Sequence, residues 1–201
     1  MTANFFNPNP NSYHMQLIEG INCIYGPSAT GKTNLCLFEA SRSKGKVIFI
    51  DTENTFSADR IKDFNKDANL DNIYLIKADS FEKQAKIIRE LELIKNVNLV
   101  IIDSLTKFYR KEFQEKNNPN LLEQFKLLRN LYKTKGCKVL ITSQVYTNME
   151  GKNLPVGGKL IHNFSKQLIS LSHEKERIFE IIKPNEKKHV FCIETPIIRF
   201  L

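Results

Sequence analysis

The chain of 201 residues is long enough for one well-packed domain and short for two, and 41% hydrophobic with 26% charged residues is the balance of an ordinary globular protein. That composition excludes low-complexity and repeat architectures, and no apolar run approaches the roughly 20 residues needed to cross a bilayer. A formal charge of +8 favours a polyanionic partner by long-range attraction, although solvated lysines alone give the same balance.

In chain order, "MTANFFNPNPNSYH" lacks a basic stretch followed by an apolar core, so a cytoplasmic protein without a membrane partner is expected, with residues 1–17 a short extension before a single core domain over 18–201. Ile21 to Tyr25 reads as a strand, and Leu35, Leu37, Phe38 and Ala40 mark the helix after it. Lys46 to Asp51 is a second strand closed by a carboxylate, followed by a helical stretch around Ala58 to Asn65. Asn72 to Ala78 is a third strand. Ser80 is placed to cap a long helix over Phe81 to Lys95, where Phe81, Ala85, Ile88 and Leu91 recur at helical spacing.

Asn98 to Ser104 is an apolar run too short for a helix, as a buried parallel strand requires. Leu121, Leu122, Phe125, Leu128, Leu131 and Tyr132 predict an amphipathic helix stopped near Gly136, and Cys137 to Val145 the next strand. The alternation predicts an α/β fold with a mainly parallel central sheet, helices on both faces and active groups at the strands' carboxyl ends. Past Gly158, the runs Gln167 to Leu171, Arg177 to Ile182 and Val190 to Glu194 are expected to extend that sheet in antiparallel fashion. Cys23, Cys36, Cys137 and Cys192 are scattered, as are the histidines, which predicts buried reduced thiols rather than a metal centre.

Between the first strand and its helix lies Gly26-Pro27-Ser28-Ala29-Thr30-Gly31-Lys32-Thr33, followed by Asn34, a fit to G-x-x-x-x-G-K-[ST]. Glycines there let successive backbone N–H groups face one phosphate chain, while the helix amino end adds a favourable field. Lys32 is expected to reach the terminal phosphates and Thr33 to offer its hydroxyl to Mg²⁺, which makes ATP and Mg²⁺ the expected cofactors. Asp103, closing the apolar strand, is the second candidate metal partner. Hydrolysis also needs a group that aligns or deprotonates water, and Glu53 is the candidate, with Asp51 and Asp59 as alternatives in the same loop.

With these residues placed, the chain resembles the RecA-type recombinase superfamily and, within it, the archaeal RadA and RadB branch. "GPSATGKTNLC", "IDTENTFSADRI", "LVIIDSLTKFYR", "LITSQV" and "PVGGKLIHNFSK" carry the likeness, from about Ile18 to the end. It implies a RecA-like P-loop core, with Glu53 as the water-activating carboxylate, Arg60 packing on the adenine, and Gln144 sensing the γ-phosphate and relaying it to a DNA-binding loop. The short amino terminus favours the RadB side of the branch, with Phe5 or Phe6 as a conceivable assembly plug.

The resemblance also implies DNA contacts in loops after Asp103 and after Gln144. Lys107, Arg110 and Lys111 lie in the first, with Phe108, Tyr109 and Phe113 as faces for base stacking; Lys152 and Lys159 lie in the second. That second loop is short, which argues against autonomous strand exchange. The expected function is therefore a DNA-binding, weakly hydrolysing ATPase of recombination and repair, able to form homo-oligomers and assisting a RadA-type recombinase. A nucleotide-switched adaptor and a KaiC-like signalling ATPase are the alternatives.

Overall fold

The computed structural model describes residues 15–109, 120–173, 175–194 and 197–200, with backbone alone at 192, 194 and 197–200. Chain order is β1 (Gly20–Tyr25), α1 (Lys32–Arg42), β2 (Lys46–Asp51), α2 (Ala58–Phe64), β3 (Ile73–Lys77), α3 (Phe81–Glu90), β4 (Val97–Asp103), α4 (Asn120–Lys135), β5 (Lys138–Ser143), β6 (Val145–Thr147), β7 (Asn153–Pro155), α5 (Gly158–Phe164), β8 (Gln167–His173), β9 (Arg177–Lys183), β10 (Lys187–Glu194) and β11 (Ile197–Phe200). Nine strands make one sheet in the order β11-β10-β9-β8-β1-β5-β4-β2-β3, and β6 and β7 form a separate antiparallel pair.

The apolar strands explain why helices cover both faces. On β2, Ile48 and Ile50 enter one core while Val47 and Phe49 enter the other, and β4 divides Val100 and Ile102 from Leu99 and Ile101 in the same way. The first core is closed by α3, α4 and α5 through Phe81, Leu128 and Ile161; the second by α1 and α2 through Leu37 and Ile61. Each fully buried side chain of this size contributes about 1.5–3 kcal/mol. The α/β class and mainly parallel sheet expected from the sequence are therefore found.

Local signals set the helix ends. Ser57 and Ser80 accept hydrogen bonds from the backbone N–H groups of Arg60 and Lys83, both at 3.2 Å, which caps α2 and α3. Gly136, at φ +66°, ends α4 and donates its N–H to Tyr132 O at 2.9 Å.

Three details differ from expectation. The α3 helix stops at Glu90 and continues only as a 3₁₀ turn over Leu91–Leu93, where exposed Leu93 breaks the apolar stripe. The strand expected through Val145 ends at Ser143, whose hydroxyl donates to Gln144 O, and Val145 instead starts the hairpin. Of the late strands β8 is parallel to β1, and only β9, β10 and β11 alternate antiparallel. Helix α5 crosses the sheet between β7 and β8, and such a crossover returns the chain in the same direction.

At the opposite end of α1 from its glycine-rich start, burial pushes the Glu39 carboxyl up to about 7, against the opposing pull of Arg42 and Lys138. A carboxyl raised in the folded state carries its charge at a cost there, so stability is highest where it is protonated and falls as pH rises through 4.5 to 7. Glu39→Gln is expected to stabilise the protein by about 1–3 kcal/mol at pH 8 and by much less at pH 5, read from urea denaturation at the two pH values.

Candidate active site

The site sits where four parallel strands end on one level. Tyr25 of β1 lies opposite Ser143 of β5, and Asp51 of β2 opposite Asp103 of β4. The turn leaving β1 presses onto β8, since a Cβ on Gly26 would stand 2.4 Å from Leu171 O. Gly31, which opens α1, has φ +104°, and a Cβ there would meet Ile193 Cδ1 at 2.3 Å. Neither position has room for a side chain. Thr30 is buried and donates its hydroxyl to Pro27 O at 2.9 Å, which folds the loop on itself.

Lys32 curls back into that loop, donating from Nζ to Gly26 O at 2.8 Å and Pro27 O at 2.7 Å. Burial lowers its pKa, while Asp103 and Glu53 pull the other way. Thr33 Oγ1 donates to Asp103 Oδ2 at 2.6 Å, and Thr142 Oγ1 donates to Asp103 Oδ1 at 2.5 Å. Burial raises the Asp103 pKa; the hydrogen bonds from Thr142 and Thr33 oppose it, and the negative charges of Glu53 and Asp51 add to it. An anionic carboxylate held at such cost, with a threonine hydroxyl against it, is a donor set suited to a hard divalent cation.

Across the cleft, Glu53 Oε1 accepts from Gln144 Nε2 at 3.0 Å. Gln144 is also fixed through its backbone: its N–H donates to Thr106 Oγ1 at 3.1 Å, and its carbonyl accepts from Val156 N at 2.8 Å. Arg60 Nη1 donates to Asn34 Oδ1 at 2.9 Å, which brings α2 to the start of α1. These side chains line a cleft of about 450 Å³ together with Gly26, Pro27, Ser28, Ala29, Gly31, Thr55 and Ser104. The glycine cradle, Lys32 and the Thr33–Asp103 pair fit a magnesium-bound triphosphate, and the buried Ser104 hydroxyl has no hydrogen-bond partner among the described residues.

Three acids were open from the sequence as the water-activating group, and they occupy different environments. Asp51 is buried, and its carboxylate accepts from the backbone N–H groups of Glu53, Thr55 and Phe56 at 3.0, 3.3 and 3.1 Å. Asp59 is exposed on α2. Glu53 alone of the three lines the cleft. Asp51 thus shapes the loop that presents Glu53, and Asp51→Ala is expected to cost about 2–4 kcal/mol in urea denaturation by stranding those amides.

Of the candidate DNA-contacting residues, Lys107, Lys152 and Lys159 fall among the described residues. Lys107 turns inward, with Nζ donating to Thr52 O, and its ammonium also lies 5.4 Å from the Phe108 ring centroid. Phe108 is buried, and Tyr109 is half-buried and packs on Phe81 with ring centroids 6.3 Å apart. Both follow a strand that ends inside the core, and the first core draws them in. Arg110, Lys111 and Phe113 lie outside the described residues, as do Phe5 and Phe6. Lys152 is exposed in the β6–β7 turn, 3.4 Å from Glu150, and Lys159 is exposed on α5.

Several participants escaped sequence reading. Thr142, Thr55 and Ser104 each touch or flank Asp103, and Thr52 Oγ1 both donates to Ser104 O at 3.0 Å and accepts from Ser104 N at 2.7 Å. A signal was available for Thr142 and Ser143, since two polar residues close an otherwise apolar buried strand.

Comparison with known proteins agrees with this geometry. The Rad51 family model matches residues 17–195. The DNA repair and recombination protein RadB of Methanococcus maripaludis is 35% identical over 192 residues, covering 90% of this chain and 87% of that protein. RadB of Methanocaldococcus jannaschii is 38% identical over 164 residues, covering 75% and 77%. A crystal structure of the RadB recombinase shares the fold, with a TM-score of 0.77 at 24% identity and 90% of each chain covered. The chain belongs to the Rad51 family.

Proposed function

We propose that this chain is a RadB-like, ATP-binding and slowly hydrolysing protein of DNA recombination and repair. The observation that carries the reading is the convergence of Lys32, Thr33, Asp103, Glu53 and Gln144 on one cleft, in a chain whose relatives are DNA repair and recombination proteins. Residues 26–34 hold the triphosphate, with backbone N–H groups at the start of α1 as donors and Lys32 neutralising the terminal phosphates. Thr33 and Asp103 hold Mg²⁺, and Arg60 borders the base end of the cleft beside Asn34. Bound Mg²⁺·ATP supplies the electrophilic phosphorus and withdraws charge from the leaving oxygens.

Glu53 orients water and takes its proton, while Asp51 and Thr52 keep its loop rigid. The contact between Gln144 and Glu53 links this step to the β6–β7 hairpin, because Gln144 is the residue between β5 and that hairpin. A side chain that bonds the catalytic carboxylate from the residue leading into the hairpin can serve as a two-state element, made or broken with the nucleotide. DNA, a RadA-type recombinase and further copies of this chain are the proposed partners.

The test measures phosphate release and single-stranded DNA affinity together. Wild type is expected to bind DNA more tightly with ATP than without nucleotide, and Gln144→Ala to keep both ligands but lose at least threefold of that difference. DNA and ATP binding with no ATP consumed would instead support the nucleotide-switched adaptor. Absence of DNA binding in every nucleotide state would contradict the recombination reading itself.

A further inference from the structure

A group of lysines stands at the opposite end of the sheet from the nucleotide cleft. Lys138 opens β5, opposite Gly20 and Leu99, and Lys46 opens β2 beside Val97. Lys166 immediately precedes β8 and hydrogen-bonds through its backbone N–H to Ile21 O at 2.8 Å. Lys183 closes the antiparallel β9 opposite Leu168, at the same end. Lys95 precedes β4, and Lys135 ends α4. All lie at the amino ends of the parallel strands.

Among the described residues no carboxylate stands within ion-pair distance of these ammonium groups, although Lys138 is near enough to Glu39 to lower its pKa. Lys46 donates to Lys95 O at 3.1 Å, Lys135 to Ile94 O at 2.9 Å and Lys183 to His162 O at 2.5 Å. Lys166 stands 5.4 Å from the Tyr132 ring centroid. None of the six joins an ion pair among the described residues, whose salt bridges lie elsewhere. Among the described residues the acids at this end include Glu19, Glu186 and Asp71, which are exposed, Glu92, which accepts from Asn130, and Glu39, half-buried beside Arg42. From β9 to β2 the sheet order counts five inter-strand steps, so the charges spread over roughly 24 Å.

We propose that this basal lysine band is a second nucleic-acid surface, which takes the phosphodiester backbone of duplex DNA without reading sequence and without regard to the nucleotide in the cleft. A band of ammonium groups that join no ion pair among the described residues suits a run of phosphates, and the duplex is favoured over a single strand by its higher linear charge density. The Glu53–Gln144 contact lies at the strands' carboxyl ends, the length of β5 away from Lys138. The inference shares the DNA-binding reading above but places a distinct contact on a distinct face.

The test is fluorescence anisotropy of a labelled duplex of about 30 base pairs, and of one of its strands, from roughly 50 to 300 mM KCl, with and without Mg²⁺·ATP. The full-length triple variant Lys138→Glu/Lys166→Glu/Lys183→Glu is compared with Lys77→Glu/Lys86→Glu/Lys126→Glu, which removes the same charge elsewhere. The basal variant is expected to lose about tenfold or more in duplex affinity in both nucleotide states, with a salt slope shallower by about 0.9 per lysine that contacts a phosphate. ATP affinity should stay within about twofold of wild type, which shows that the variant is folded. An equal loss in the control variant would make net charge the cause and overturn the proposal. So would unchanged duplex affinity, or selective loss of binding to phosphatidylserine vesicles. If wild type binds no DNA at all, the recombination reading fails as well; if only the basal variant is indifferent, that reading stands and the second surface falls.

Discussion

Glu53→Gln is expected to lower ATP turnover by about 100-fold or more while leaving the affinity for Mg²⁺·ATP within about threefold of wild type. The substitution keeps the shape of the side chain and removes its capacity to accept a proton. A glutamine at this position can still meet Gln144 Nε2 through its own amide oxygen, so the 3.0 Å contact survives. Binding rests on the other wall of the cleft, on residues 26–34, which Glu53 does not touch through any described hydrogen bond. Steady-state phosphate release and a binding titration separate the two quantities. A variant that hydrolyses as fast as wild type would remove Glu53 from the reaction, and Asp51, buried under backbone N–H donors, has no free oxygen geometry to replace it.

Lys32→Ala should act on the other quantity, lowering nucleotide affinity by about 100-fold, or roughly 2.7 kcal/mol. Its ammonium is the cation that folds back on the loop carbonyls, and burial already disfavours its charged form, so an incoming phosphate relieves a cost as well as adding a charge pair. Because the folded pKa lies below the usual lysine value, affinity should decline on the alkaline side earlier than an exposed lysine would make it. The fold should tolerate the change. Gly26 O and Pro27 O lose a donor at the wall of an open cleft, where water takes its place. Circular dichroism melting of Lys32→Ala checks that the lost affinity reflects the site and not the fold.

The sheet was legible because its strands are apolar runs closed by polar residues, and the β-α alternation leaves few topologies. That Lys32, Thr33, Asp103 and Glu53 line one cleft was legible because a phosphate loop, a strand-ending acid and the loop after a second strand-ending acid all fall at the carboxyl ends of neighbouring strands. The division of labour among the acids was not. Asp51 and Glu53 are equally acidic in the sequence, and only the backbone path decides which of them is spent on three amides and which faces the cleft. Thr142 was silent for the same reason, since its role depends on β5 lying between β1 and β4, a crossover no local pattern records.

The most direct test of the central claim is calorimetric titration of the wild-type protein with a non-hydrolysable ATP analogue, in Mg²⁺ and again in EDTA. A cleft built around the Thr33–Asp103 contact predicts saturable binding at one site per chain that weakens by about tenfold or more when the metal is withheld. No saturable binding, or binding equally tight in EDTA, would contradict it.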